Sequence, residues 1–464
     1  MFPVSTICAI STPAGTGGIA VIRLSGDMAI PLVDKVYRSP VKEKKLIDQA
    51  ANTLHFGTLF KGNELLDEVV VSLFRKPHSY TGEDVVEISC HGSTYVQQQI
   101  LQLMIDSGAE LAQPGEFTQR AFLNGKMDLS QAEAVADLIA SGNSAAHRVA
   151  LNQMRGGFSA EISQLRDQLL HFTTLIELEL DFSEEDVEFA DRTLLIGLSR
   201  KIDTLLRKLI DSFRLGNAIK NGIPVAIVGE TNVGKSTLLN ALLNEEKAIV
   251  SEIHGTTRDV IEDTVNLDGV LFRFFDTAGL RNTTDTIENL GIERSYRKLG
   301  QATIVLLVLD LTSAAETNLR RIREIRKKIV NQHLILVANK SDLVSEGVRS
   351  ELASLTLKKN ESLVFIAAKA KENLTGLIRL MKDTVALDKV QPEDVIVTNI
   401  RHYEALTRAL EAIDRTIEGL QTNLSGEFLS QDIRECLHYL GAITGQITTD
   451  EVLGNIFKHF CIGK

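Results

Sequence analysis

Val225-Ala-Ile-Val-Gly229-Glu-Thr-Asn-Val-Gly234-Lys235-Ser236-Thr237 is the stretch around which the chain is organised. An apolar, β-branched run stops at a glycine, and a helical pattern resumes at Thr237-Leu-Leu-Asn-Ala-Leu-Leu. The order is strand, loop, helix. Glycines at Gly229 and Gly234 let the backbone wrap a polyphosphate and aim successive N–H groups inward, because no Cβ intervenes. The helix beginning near Lys235 adds its positive end. Lys235 supplies a point charge for terminal phosphates, and Ser236 a hydroxyl for Mg²⁺.

Three further segments follow in order. Gly255-Thr-Thr257 lies about twenty residues on, with Thr257 suited to Mg²⁺ and the γ-phosphate. Asp276-Thr-Ala-Gly279 follows an apolar run at 271–275, so that Asp276 reaches the metal's surroundings and Gly279 offers an N–H to the γ-phosphate. Asn339-Lys340-Ser-Asp342 follows a strand at 333–338, and Ala367-Ala368-Lys369 one at 363–366. A carboxylate at Asp342 accepts both the ring N–H and the exocyclic amine of guanine. Adenine lacks that pair of donors and would leave the carboxylate unmatched. Nucleotide contacts are thus expected from Asn232, Val233, Gly234, Lys235, Ser236 and Thr237, then Ser251, Glu252, Ile253, His254, Gly255, Thr256 and Thr257. The remainder come from Asp276, Thr277, Ala278 and Gly279, and from Asn339, Lys340, Asp342, Ala367, Ala368 and Lys369.

At 464 residues the chain is long enough for about three domains. A formal charge of −11 argues against broad nonspecific binding to nucleic acid, which depends on a basic face. Cys8, Cys90, Cys436 and Cys461 fit neither metal spacing nor a disulfide framework, which points to a reducing cytoplasm. No uninterrupted apolar run approaches the roughly 20 residues of a membrane span.

The sequence predicts a multidomain chain. Residues 1–118 read as an α+β domain, with strands at 19–24 and 68–74 and a helix at 95–107. A helical period begins at about 119 and continues to 217, where Ser130-Gln-Ala-Glu133 reads as a capping box. Residues 218–384 form the inserted α/β nucleotide domain with a mostly parallel sheet, and 385–464 return to helix. The basic run 320–328 reads as the solvent face of a surface helix, and the acidic run 181–188 as a solvated linker.

The motif order, the inserted nucleotide domain, Gly115-Glu-Phe-Thr-Gln-Arg-Ala-Phe-Leu-Asn-Gly-Lys126 and the terminal Cys461-Ile-Gly-Lys464 closely resemble the MnmE (TrmE) family of tRNA-modifying GTPases. The resemblance covers essentially the whole chain. It implies a tetrahydrofolate one-carbon donor (5-formyl or methylene form) bound by the N-terminal domain through Arg23, Glu87, Lys126 and Lys464, and a homodimer formed by that domain. It also implies a flavin-dependent MnmG (GidA) partner, with which the fifth carbon of the wobble uridine of certain tRNAs is modified. Cys461 is then either a nucleophile toward the uridine ring or a small buried apolar residue.

Leu280 and Arg281 stand where other GTPases place a water-orienting glutamine. The resemblance assigns that task to Glu288. In place of an arginine finger it implies K⁺, held by the Asn232 side chain and by oxygens of Ser251, Ile253 and Thr256. Thr231 departs from the proline that the family often carries before this asparagine. Competing readings are a GTP-dependent assembly factor that binds ribosomal RNA and a self-sufficient folate-dependent transferase.

Overall fold

The computed structural model describes residues 5–181, 192–245, 262–275, 299–300, 302–385, 395–422, 424–458 and 460–463. The chain falls into two compact units, Met1–Ala136 with Gln153–Ser183 and Ile433–Lys464, and Asp137–Asn152 with Glu184–Asp432.

The first unit holds a seven-stranded sheet: β1 Ile7–Ile10, β2 Ile19–Ser25, β3 Tyr37–Arg38, β4 Thr53–Lys61, β5 Glu64–Phe74, β6 Val85–His91 and β7 Glu110–Leu111. Its order is β3-β4-β5-β6-β2-β1-β7, antiparallel except where β7 pairs with β1. The period of two explains its faces. Ala20, Ile22 and Leu24 join a core with Ile30 and Val33 of helix Ala29–Val36 and with Ile100 and Met104 of helix Thr94–Asp106. Val21 and Arg23 alternate onto the opposite face. There Arg23 stands directly across from Glu87 of β6.

Helix Glu116–Leu123 leads into helix Leu129–Ala140, whose start differs from the sequence expectation. Asp128, not Ser130, is the cap. Its carboxylate accepts from Gln131 N at 3.0 Å, and Gln131 Oε1 accepts from Asp128 N at 2.9 Å, so the reciprocal box is shifted by two residues. Ser130 is buried inside the helix and its hydroxyl bonds Asp128 and Ser159 instead. Asp and Ser cap about equally well, and burial of Ser130 against Ser159 leaves the free N–H groups to Asp128. Helix Gly157–Asp181 completes the long helical part of this unit.

In the second unit, helix Arg192–Asn221 runs to Gly222 and feeds a six-stranded sheet. Its strands are β8 Ile223–Val228, β9 Glu262–Leu267, β10 Val270–Phe275, β11 Ile304–Asp310, β12 His333–Asn339 and β13 Glu361–Phe365, in the order β13-β12-β11-β8-β10-β9. All neighbours are parallel except the hairpin β9–β10. A parallel sheet is covered on both faces, so its central strands read as continuous apolar runs. Leu238 and Leu242 of helix Lys235–Glu245 and Leu377 and Met381 of helix Leu374–Val385 pack on one face. Ile322 and Ile325 of helix Ala315–Arg326 and Leu352 of helix Glu346–Ala353 pack on the other.

The chain then returns through helices Ile400–Gln421, Gly426–Thr444 and Asp450–Phe457. The helices flanking the sheet domain meet: Phe213 stacks on Tyr403 with centroids 4.5 Å apart, and Arg207 bonds Asp414. Within this unit the chain thus leaves and re-enters one helical layer. No helix among the described residues is long and apolar enough to cross a membrane.

Candidate functional sites

The loop between β8 and helix Lys235–Glu245 has the geometry its sequence demands. Gly234 sits at φ +99°, and a Cβ there would stand 2.4 Å from Asn339 Nδ2. The positive φ strains any L residue there, and the bare glycine lets the Asn339 side chain lie against the loop. Asn232 adopts φ +64°, which asparagine tolerates better than most residues. Among the described residues its side chain makes no hydrogen bond, and the same holds for the hydroxyls of Ser236 and Thr237. Val233 is buried against the sheet. Lys235 folds back over the loop, where Nζ donates to Gly229 O at 2.8 Å and to Glu230 O at 2.5 Å. The ammonium is thereby pinned at the mouth of the loop, beside the helix N-terminus.

The loops after β12 and β13 meet this one. Asn339 is buried and works as a bracket: its Nδ2 donates to Val233 O at 2.8 Å, while its Oδ1 accepts from Ala368 N at 3.0 Å. Ala367 and Ala368 are buried, whereas Lys369 is exposed. Lys340 takes the left-handed conformation, and its Nζ reaches Asp310 Oδ2 at 2.6 Å. Burial pushes the Asp310 carboxyl up, but hydrogen bonds from Lys340 and Thr312 outweigh it and hold the group below its usual range. Asp342 lies exposed on the short turn Ser341–Leu343, its carboxylate bonded to no described residue. One cradle thus gathers the loop lysine, free hydroxyls and an uncommitted carboxylate. Asp310, which the sequence reading did not single out, ends a buried strand; an acid closing an apolar run was the available signal. Ser251, Glu252, Ile253, His254, Gly255, Thr256, Thr257, Asp276, Thr277, Ala278, Gly279 and Glu288 lie outside the described residues.

A second cluster lies in the first unit. Arg23 donates to Glu87 Oε1 through Nε at 2.9 Å and Nη2 at 2.7 Å. Its guanidinium also stands 5.5 Å from the ring centre of Tyr80 and 5.7 Å from that of Phe117. Its Nη1 reaches Gly463 O at 3.4 Å, and Ser11 Oγ donates to the same oxygen at 3.1 Å. Gly463 is at φ +91°, where a Cβ would fall 2.4 Å from Ile10 O, so the chain end lies flush on β1. Gly115 N donates to Cys461 O at 3.4 Å. Cys461 is exposed. Burial pushes the thiols of Cys8 and Cys90 up to about 11 and that of Cys436 up to about 12, so these three are inert. Lys126 Nζ donates to Pro77 O at 2.9 Å. Ser11, Tyr80, Phe117 and the Gly463 carbonyl were not foreseen, while Lys464 lies outside the described residues.

Both halves of the chain match known proteins. Residues 6–126 match the GTP-binding protein TrmE N-terminus, and residues 129–461 the MnmE helical domain. The tRNA modification GTPase MnmE of Parabacteroides distasonis is 58% identical over 99% of this chain and 100% of its own length. That of Bacteroides thetaiotaomicron is 56% identical over 99% of each chain, and that of Flavobacterium johnsoniae 52% over 99% of each. A parallel sheet bearing a phosphate-type loop, joined to these full-length matches, makes the chain a GTP hydrolase that belongs to the MnmE family of tRNA modification GTPases.

Proposed function

We propose that this GTPase, with a tetrahydrofolate derivative on its N-terminal sheet and a flavin-dependent MnmG-type partner, installs an aminomethyl or carboxymethylaminomethyl group on the fifth carbon of the wobble uridine of certain tRNAs. The observation that carries this reading is the chain end lying on Arg23, opposite Glu87, with the exposed Cys461 two residues away. Segments 1–118, 119–217, 218–384 and 385–464 are the working parts, and the first also forms a homodimer in the cytoplasm.

The cluster fits a folate by the chemistry of its donors. Glu87 keeps one carboxylate oxygen unengaged among the described residues, suited to the amide and amine edge of a pterin. Arg23, Lys126 and Lys464 suit the glutamate tail. Bound there, the folate supplies a one-carbon unit. Cys461 is the thiol available to attack the uridine ring. Glu87→Gln is expected to weaken binding of 5-formyl-tetrahydrofolate about tenfold, since a charged acceptor is replaced by a neutral one. Equilibrium dialysis on the full chain checks this, and unchanged affinity would remove the pterin role.

At the nucleotide, Ser236 and Thr257 would hold Mg²⁺, which supplies positive charge to the phosphates. Asn232, with Ser251, Ile253 and Thr256, would hold K⁺, which supplies charge between the β- and γ-phosphates when two GTPase domains meet. The free Asn232 side chain supports this role. Glu288 would orient the attacking water. Asn232→Ala is expected to abolish the stimulation of GTP turnover by K⁺ over Na⁺ at equal ionic strength. Normal K⁺-stimulated turnover in that variant would exclude Asn232 as the ligand.

A further inference from the structure

Glu230 places a carboxylate inside a loop that must take a polyanion. A carboxylate carried by that loop adds negative charge where negative charge is to bind, and its repulsion grows as screening falls. The structure answers it with a cation from a different element. Arg321, on helix Ala315–Arg326, donates to Glu230 Oε1 through Nε at 2.7 Å, with Nη2 2.6 Å from the same oxygen. Its Nη1 is held in turn by Glu324 one turn on, at 3.0 Å. The helix is itself anchored to the nucleotide site: Asn318 Nδ2 donates to Asp310 O at 2.9 Å, and Asp310 holds Lys340. The Glu230 backbone is equally committed, since its carbonyl accepts from Lys235 Nζ. One loop residue is therefore gripped by Arg321 at its side chain and by the loop lysine at its main chain.

We propose that Arg321 is a positioning residue for the phosphate loop, neutralising and fixing Glu230 so that the loop accepts the triphosphate of GTP. The basic run 320–328 is then not only a solvated helix face, because this member points its charge at the loop. The inference rests on the reading of Gly229–Ser236 as the phosphate loop. Arg321 touches no substrate in this account; it acts through Glu230.

Two roles predict different mutational patterns. If the pair were a plain surface ion pair, losing either partner would have similar and small effects on stability and none on nucleotide preference. If Arg321 masks a charge, its loss exposes a harmful carboxylate, and removing that carboxylate cures the harm. The test is GTP and GDP affinity of the full chain, by displacement of a fluorescent guanine nucleotide, for wild type, Arg321→Gln, Glu230→Gln and the double variant at low and high salt. Arg321→Gln is expected to weaken GTP about fivefold at low salt, GDP less, with the deficit shrinking at high salt. The double variant is expected to return to within about twofold of wild type. Arg321→Gln binding GTP like wild type, or a double variant as weak as Arg321→Gln, would overturn the proposal. So would Glu230→Gln alone being as weak as Arg321→Gln. A wild-type chain that binds no GTP would instead defeat the phosphate-loop reading, a separate and recognisable failure.

Discussion

Lys235→Ala is expected to reduce GTP turnover by about 10²–10³-fold, the usual effect of deleting one preorganised donor to developing charge. The ammonium is held by two loop carbonyls, at 2.8 and 2.5 Å. That preorganisation means little side-chain ordering is left to do on binding. The same two bonds imply a second consequence, because without the ammonium the carbonyls of Gly229 and Glu230 lose their donor and the loop loosens. Affinity for GTP should therefore fall together with the single-turnover rate. Lys235→Arg is not expected to rescue, since a planar fork does not reproduce a compact point charge between two carbonyl oxygens. Single-turnover hydrolysis at saturating and subsaturating GTP separates the two effects. Turnover within about twofold of wild type would show that the loop does not serve the γ-phosphate.

Asp342→Asn is expected to shift the base preference from guanine to xanthine, with loss of GTP affinity on the order of 10³–10⁴-fold. In the base pocket the sequence predicts, the carboxylate would accept two donors from guanine. An asparagine amide offers one acceptor and one donor, which opposes the exocyclic amine of guanine and matches the carbonyl that xanthine carries in its place. Asp342 is exposed and bonded to no described residue, so the substitution removes no contact among the described residues and the fold should persist. Competition of GTP and xanthosine triphosphate for the same protein reads the change directly. A variant that still prefers GTP by the wild-type margin would take Asp342 out of the base pocket.

How far the sequence reached follows from the range of the forces involved. The phosphate loop and the strand before it were legible because glycine placement, apolar runs and helix starts are local properties. So was the parallel sheet, whose buried strands β8, β11 and β12 are near-continuous apolar runs. The capping box at Ser130 was misplaced by two residues because both Asp128 and Ser130 are good caps, and burial of Ser130 against Ser159 decided between them.

What the sequence determined by itself is the chemistry on offer: a loop lysine at Lys235, a carboxylate at Asp342 and a thiol at Cys461. Only the tertiary structure decided which of these meet. Asn339 brackets Val233, 106 residues away in sequence, and Ala368. Arg321 finds Glu230 across 91 residues, and Gly463 returns to Ser11 across 452. Such pairings depend on the packing of whole layers, which brings distant residues within hydrogen-bond reach, and no local pattern of residues encodes them.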